Sequence, residues 1–190
     1  MSSEPYSFEE QLRFGNEWEE KAKESLERFF LGFSVNSIDY EENPEMQKAG
    51  IDHILSKEKP SIDVKCQRYE KVAERALPFE TMSSMEDGTP GWFVDPNKDT
   101  DLIVWVYPNK AKTNLYKEGY LMPFGTGIRE WFDQHIEEFA LADVPNKGYT
   151  TLVRWVDIDA IPPQYLIQFD PRLPTEEETP QSDITNWADD

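Results

Sequence analysis

The sequence has little of what secreted and membrane proteins depend on. It contains a single cysteine, Cys66, so an internal disulfide is excluded. No run approaches the roughly 18 apolar residues that a membrane-spanning helix needs. The N-terminus also lacks the basic segment and apolar run of a signal peptide. These absences predict a cytoplasmic protein that has no membrane partner.

Basic residues are also scarce. The chain has 19 Lys and Arg against 38 Asp and Glu, which gives a net charge of -19. Nucleic-acid-binding proteins usually carry a basic face that neutralises phosphates, so this excess counts against broad contact with a nucleic-acid backbone. Part of the charge lies in residues 171–190, which hold six acidic residues and one basic residue. We predict a single folded domain over residues 1–170, followed by a disordered acidic tail over residues 171–190.

The spacing of apolar residues predicts an α/β fold. Ser7 and Glu10 form a capping box, which predicts a helix that runs to about residue 31. A second helical spacing covers residues 127–141. Short apolar segments predict strands at residues 33–40, 51–55, 61–67, 77–83, 101–107, 115–122 and 150–156. The most apolar of these, residues 101–107, should be a central strand buried on both faces. This order predicts one central mixed β-sheet flanked by helices.

One predicted strand carries charge on a single face. Asp63 and Lys65 are two residues apart, so their side chains point to the same side of the strand, while the apolar residues beside them point to the other. Asp52 lies on the preceding predicted strand. Charged groups between buried strands need partners or a metal ion. These residues are therefore the strongest candidates for a functional site.

The same residues resemble a motif of the PD-(D/E)XK, or restriction-endonuclease-like, nuclease superfamily. Its members carry an Asp on one strand and (Asp/Glu)-x-Lys on the adjoining strand. Asp52 matches the first element and Asp63-Val64-Lys65 the second. Ile51 stands where the superfamily often has proline, a position that varies among its members.

The resemblance extends to the upstream helix. Gly15, Glu19 and Ala22 look like the Gly-x-x-x-Glu-x-x-Ala opening of resolvase-like members, which points to Glu19. Glu17 and Glu20 remain alternatives because the helix is crowded with glutamates. Gln67 is similar to the glutamine of an extended (Asp/Glu)-x-Lys-x-Gln form, and the looser likeness covers about residues 8–156.

The resemblance implies a restriction-endonuclease-like single domain that hydrolyses phosphodiester bonds, most naturally in DNA. Hard oxygen ligands suit Mg²⁺ or Mn²⁺. Asp52, Asp63, Glu19 and the backbone carbonyl of Val64 would bind the metal. Lys65 would orient and help to deprotonate the attacking water, with its pKa lowered by a low-dielectric setting. Many members are dimers, so a homodimer is an open alternative.

Several features have more than one interpretation. The acidic charge favours a different class of function, an acidic protein that mimics DNA and occupies a DNA-binding partner. A nuclease-like fold used only for binding is a third hypothesis. Glu80 is a weaker candidate for the site. His53 and His135 are interpreted as structural or surface residues. Trp92 belongs either to the core or to a loop that stacks on a base. A basic cluster forms either a phosphate track or a solvated turn: Lys57, Lys59, Lys65, Arg68, Lys71 and Arg75.

Overall fold

The structure is a computed structural model that describes residues 8–29, 35–38, 43–55 and 60–173. The three α-helices of these ranges are α1 (Phe8–Phe29), α2 (Pro44–Ala49) and α3 (Thr126–His135). The strands are β1 (Val35–Ser37), β2 (His53–Leu55), β3 (Ser61–Cys66), β4 (Ala76–Ser84), β5 (Thr89–Pro90), β6 (Leu102–Val106), β7 (Gly119–Pro123), β8 (Ala140–Pro145), β9 (Thr150–Asp157) and β10 (Ile167–Phe169). Short 3₁₀ helices cover Tyr69–Glu74, Ile136–Glu138 and Ile158–Ala160. No helix in the described ranges is long and apolar enough to cross a bilayer.

A mixed six-stranded sheet forms the centre of the α/β fold, with strand order β1-β2-β3-β6-β7-β10. β3 and β6 run parallel, with Asp63 opposite Ile103 and Lys65 opposite Trp105. The other neighbouring strands pair antiparallel. β6 reads Leu-Ile-Val-Trp-Val and its last four residues are buried, which confirms the predicted central strand.

Helix α1 covers one face of the central sheet. Trp18, Ala22 and Leu26 recur at a spacing of four residues, which places them on one stripe of the helix. All three are buried and pack with Ile62 and Val64 of β3. The predicted alternation of β3 is therefore confirmed: its apolar side chains face the helix, and Asp63 and Lys65 face the other side.

The opposite face of the central sheet meets a second sheet of four strands, ordered β5-β4-β9-β8. A core rich in aromatic side chains fills the space between the sheets and α3. Its buried members are Leu77, Phe79, Phe93, Ile103, Trp105, Tyr107, Tyr120, Met122, Phe124, Ile128, Phe132, Phe139, Val156 and Ile161. Asp63 and Lys65 lie on this side, beside the aromatic core, because they share a face with Ile103 and Trp105.

The structure differs from the sequence prediction in its sheets. One sheet was expected, whereas the described residues form two. The helix predicted over residues 127–141 ends at His135, and Ala140–Pro145 forms β8 instead. Six residue pairs join β8 to β9, so long-range pairing overrides the helical spacing of this segment. The capping residue Ser7 and the predicted helix end near residue 31 lie outside the described residues.

Candidate active site

A glycine turn positions Asp52. Helix α2 ends at Ala49, and Gly50 follows with a left-handed φ of 76°, a conformation that favours glycine. The Ile51 N–H then donates to the Met46 carbonyl at 3.1 Å, which completes a Schellman motif. The turn leads through Ile51 to Asp52, the residue immediately before β2.

Asp52 is anchored to β3 by its own side chain. Its Oδ2 accepts a hydrogen bond of 2.6 Å from the Val64 N–H, and its backbone N–H donates to the Ile62 carbonyl at 2.8 Å. The Asp52 carboxylate thus accepts a hydrogen bond that a backbone carbonyl of a neighbouring strand would normally accept. This happens at the point where the β2–β3 ladder ends. This arrangement holds the carboxyl group of Asp52 beside β3.

Asp63 and Lys65 form a buried ion pair. Lys65 Nζ lies 2.6 Å from Asp63 Oδ2, and the side chains are 24% and 6% exposed, respectively. Lys65 Nζ also lies 4.8 Å from the centroid of the Trp92 ring. The predicted common face of Asp63 and Lys65 is therefore realised as direct contact between the two charges.

The carboxyl groups of Asp52 and Asp63 interact with each other. Burial raises the pKa of Asp63; the Lys65 ammonium opposes the shift, and the Asp52 charge adds to it. The two acids predicted to share an ion thus lie near each other.

Glu19 reaches the same group of charges from α1. Burial, followed by the charges of Asp52 and Asp63, raises its pKa to about 7. Glu19 is partly buried and lines the cleft described below, whereas Glu17 and Glu20 are exposed. The geometry favours Glu19 among the three glutamates.

The pKa of Lys65 moves in the opposite direction to the sequence expectation. Burial alone lowers it, but the charges of Asp63 and Asp52 outweigh that effect, so the pKa is raised above its ordinary value. The prediction of a lowered pKa was wrong because the two carboxylates stabilise the ammonium more than burial penalises it. Lys65 is a cation at neutral pH.

The donor set suits a hard divalent cation, although it is small. Within the described ranges, no group of three or more His, Cys, Asp and Glu residues is placed to hold a metal ion. Mg²⁺ is commonly held by only one or two carboxylates, with water and substrate phosphate completing its shell. Asp52 and Asp63 supply two, and their mutual repulsion is the kind that a cation relieves. The side chain of Val64 packs beneath α1, which leaves its backbone carbonyl as the predicted further ligand.

A cleft of about 470 Å³ opens beside these residues, between the central sheet and the second sheet. We call it the aromatic cleft. Its polar and aromatic lining comprises Phe14, Glu19, Lys65, Gln67, Arg68, Lys71, Glu80, Trp92, Trp105, Asn146, Tyr149, Thr151 and Trp155. Gln67 thus lies beside Lys65, as the extended motif predicted.

The cleft resolves part of the open question about the basic cluster. Arg68 and Lys71 line it together with Lys65. Arg75 instead pairs with the exposed Asp159, 2.9 Å away. Lys57 and Lys59 lie outside the described residues.

Glu80 occupies the wall of the cleft, where Gly91 allows close packing. Glu80 Oε1 accepts from the Trp92 N–H at 3.3 Å and from the Ser83 hydroxyl. A Cβ on Gly91 would lie 2.3 Å from the Glu80 carbonyl oxygen, so only glycine fits there. The charge of Glu80 adds to the raised pKa of Lys65. These hydrogen bonds make Glu80 a residue that positions Trp92.

The two histidines and the cysteine fit structural roles, although His53 follows Asp52 directly and Cys66 lines the cleft. His53 is 3% exposed and neither ring nitrogen has a partner among the described residues, and burial lowers its pKa. His135 Nδ1 lies 2.7 Å from the Trp131 carbonyl oxygen. Burial, with the charges of Glu19 and Glu17, raises the pKa of Cys66 to about 12, so its thiol is unreactive at neutral pH.

Sequence reasoning missed two residues at the site. Lys98 Nζ and Asp63 Oδ2 lie 3.4 and 3.5 Å, respectively, from the position that a Cβ on Gly50 would take. Trp155 was assigned to the core but is only partly buried and lines the aromatic cleft. No local signal marks Lys98, whereas the alternation of β9 places Trp155 on the same face as Val153 and Thr151.

In comparisons with known proteins, the chain matches no family model, no curated protein and no solved structure. The resemblance to the PD-(D/E)XK superfamily therefore rests on the motif residues alone.

Proposed function

We propose that this protein is a metal-dependent nuclease with a restriction-endonuclease-like domain, acting on phosphodiester bonds in DNA. One observation carries the proposal. Asp52 and the Asp63-Lys65 pair, from adjoining segments of one sheet, lie near Glu19 of α1, and Glu19 and Lys65 line a cleft. The order of these residues, with Asp63 and Lys65 on one face of a strand, resembles the PD-(D/E)XK motif.

The site would use Mg²⁺ or Mn²⁺, held by Asp52 and Asp63 with the Val64 carbonyl as a further ligand; Glu19, the other predicted ligand, is not grouped with the two Asp residues as a three-carboxylate site in the described ranges. When bound, such an ion would neutralise phosphate charge and provide a stronger nucleophile at neutral pH. The carboxylates must be ionised to bind the ion. Their mutual repulsion therefore destabilises the site when no ion is bound.

Lys65 would act on the substrate directly. Its ammonium is held 2.6 Å from Asp63, on the cleft side of β3. From this position it would donate to a phosphate oxygen, orient the attacking water and stabilise the negative charge that grows in the transition state. Because the group is already fixed by Asp63, little reorganisation is needed at the moment of reaction.

The net charge of -19 favours a second candidate function, a non-enzymatic DNA mimic. Acidic side chains spread over a protein surface can replace phosphates in a partner's DNA-binding groove. This hypothesis gives Lys65, Arg68 and Lys71 no role, although all three line one cleft. The nuclease proposal accounts for both the carboxylates and the cations.

A nuclease assay on plasmid and single-stranded DNA, with Mg²⁺ or Mn²⁺, tests the proposal. We expect Lys65→Ala to cut at least roughly 10²-fold more slowly than the wild type, because a transition-state donor is lost. Lys117→Ala, at an exposed lysine outside the cleft lining, is the matched control and should cut normally. Circular dichroism checks that both variants fold.

Two results would count against the nuclease proposal. Equal cutting by wild type and Lys65→Ala, after identical purification, assigns the activity to another site or to a contaminant. A wild-type protein that cuts neither substrate and inhibits a DNA-binding enzyme is a mimic.

A further inference from the structure

The walls of the aromatic cleft combine flat rings with cations. β9 turns Thr151, Val153 and Trp155 towards the cleft from the second sheet, and the end of β3 supplies Lys65 from the central sheet. Lys71 Nζ lies 4.5 Å from the centroid of the Trp155 ring. The Trp155 ring is thus positioned close to a positive charge, an arrangement that cation–π attraction stabilises.

Two further cation–ring pairs border the same cleft. Lys65 Nζ lies 4.8 Å from the centroid of Trp92, and the Arg68 guanidinium carbon lies 5.4 Å from that of Phe14. A nucleotide has the matching parts, a planar base and an anionic phosphate one sugar apart. Rings that stack bases beside cations that contact phosphates are the usual chemistry of single-strand binding sites.

A buried polar group in the cleft wall also lacks a partner. Trp105 is fully buried and lines the cleft, and its Nε1–H has no acceptor among the described residues. Buried donors are nearly always paired in folded proteins because an unpaired one costs free energy. Because the Trp105 side chain is 0% exposed, this donor does not count among the contacts that a ligand in the cleft would make.

The small number of cations in the cleft limits the length of nucleic-acid backbone that it can bind. Three cations, Lys65, Arg68 and Lys71, line it in a chain of net charge -19. Lys71 pairs with Glu74 at 2.8 Å, but its side chain is 37% exposed, so the ammonium can move to a phosphate at small cost. Long duplex contacts need many neutralised phosphates, whereas a few suffice for a short single strand.

We propose that the aromatic cleft binds unpaired nucleotides, with a base stacked on Trp155 and the adjoining phosphates at Lys71 and Arg68. In a duplex, neighbouring bases cover each base face, so a ring can stack only on a base that is single-stranded or turned out of the helix. The inference rests on the proposed function and makes it more specific: the substrate is single-stranded, or has a single-stranded part, next to the bond that is cut.

The test measures binding without cleavage. Fluorescence anisotropy in EDTA compares a labelled single strand of about ten thymidines with a blunt duplex of equal length. We expect the wild type to bind the single strand at least roughly fivefold more tightly. Trp155→Ala should weaken that binding by about tenfold, the usual effect of losing one stacking contact, while Trp155→Phe should retain most of it.

Lys71→Gln provides an independent variant at a partly exposed position, in case Trp155→Ala is poorly folded. It should weaken single-strand binding and make its salt dependence shallower, whereas Lys117→Gln should change neither. Equal affinity for the two DNA forms overturns the inference, as does unchanged binding by both folded Trp155→Ala and Lys71→Gln.

The inference and the proposed function can fail separately. If single-strand binding depends on Trp155 but no cleavage follows when Mg²⁺ is added, the inference about the aromatic cleft is supported and the nuclease proposal is contradicted. If duplex cleavage is lost in the Lys65 variant but unchanged in the Trp155 variant, the nuclease proposal is supported and the inference about the aromatic cleft is overturned.

Discussion

At the scale of single residues, the protein holds three acids around one ammonium. Asp52, Asp63 and Glu19 interact electrostatically, and Lys65 is the cation that offsets them. Burying charges without full compensation costs stability, and the raised pKa values of Asp63 and Glu19 record that cost. Such unfavourable groupings concentrate at functional sites, where a ligand restores the balance.

Glu19 gives a pH-dependent prediction for the metal-free protein. Because its pKa is raised from 4.5 to about 7 in the folded state, the folded state binds the proton more tightly than the unfolded chain. Its contribution to stability is full below 4.5 and is lost as the pH rises through about 7. In EDTA, Glu19→Gln should therefore gain melting temperature relative to the wild type as the pH rises over this range.

Glu20→Gln removes the same charge from an exposed neighbouring position and serves as the control. If the difference in melting temperature between wild type and Glu19→Gln stays constant from about pH 4.5 to 8, Glu19 does not belong to the buried group of acids.

How far the sequence predicts the site depends on the range of the interactions. Asp63 and Lys65 follow from strand alternation within one segment, which is a local property. The placement of Lys98 beside Gly50, and of Trp155 across the cleft, depends on segments that are distant along the chain. The sign of the Lys65 pKa shift was also beyond the sequence, because it depends on the distances to two carboxylates.

At the scale of helices and strands, short segments of secondary structure were harder to predict than long ones. Helix α2 was not predicted, although Asn43 before it, Pro44 at its first position and Gly50 after it are typical start and stop signals. The helix predicted over residues 127–141 included the first two residues of β8, because their segment keeps a helical spacing. The long helix α1 and the buried strand β6 were predicted correctly because their patterns are long or strongly apolar.

The C-terminal segment gives a prediction at this scale. The sequence places the domain end at residue 170, yet Pro171 is buried and Leu173 exchanges two hydrogen bonds with Asn114, of 2.8 and 3.1 Å. Deletion after Leu173 should leave the melting temperature unchanged, whereas deletion after Asp170 should lower it by several degrees, at about 2–4 °C per kcal/mol lost. Differential scanning calorimetry compares the two truncations; a large loss on deletion after Leu173 would mean that the acidic tail docks.

At the scale of the whole molecule, strong acidity and a nuclease site are compatible if the substrate contact is small. The net charge of -19 repels a polyanion at long range, and salt shortens that repulsion to about 10 Å at 0.1 M ionic strength. Lys65, Arg68 and Lys71 concentrate positive charge in one cleft, next to the acids. Affinity would then come from that cleft and from a metal ion, with little from the rest of the surface.

A crystal soaked in Mn²⁺ tests the central claim most directly, because manganese is identified by its anomalous scattering. We expect one peak between Asp52 and Asp63, with an oxygen of each carboxylate about 2.1 Å from the ion. The peak should vanish in Asp63→Asn crystals soaked in the same way. Manganese bound only elsewhere, or by neither carboxylate at saturating concentration, would contradict the metal site and the nuclease function built on it.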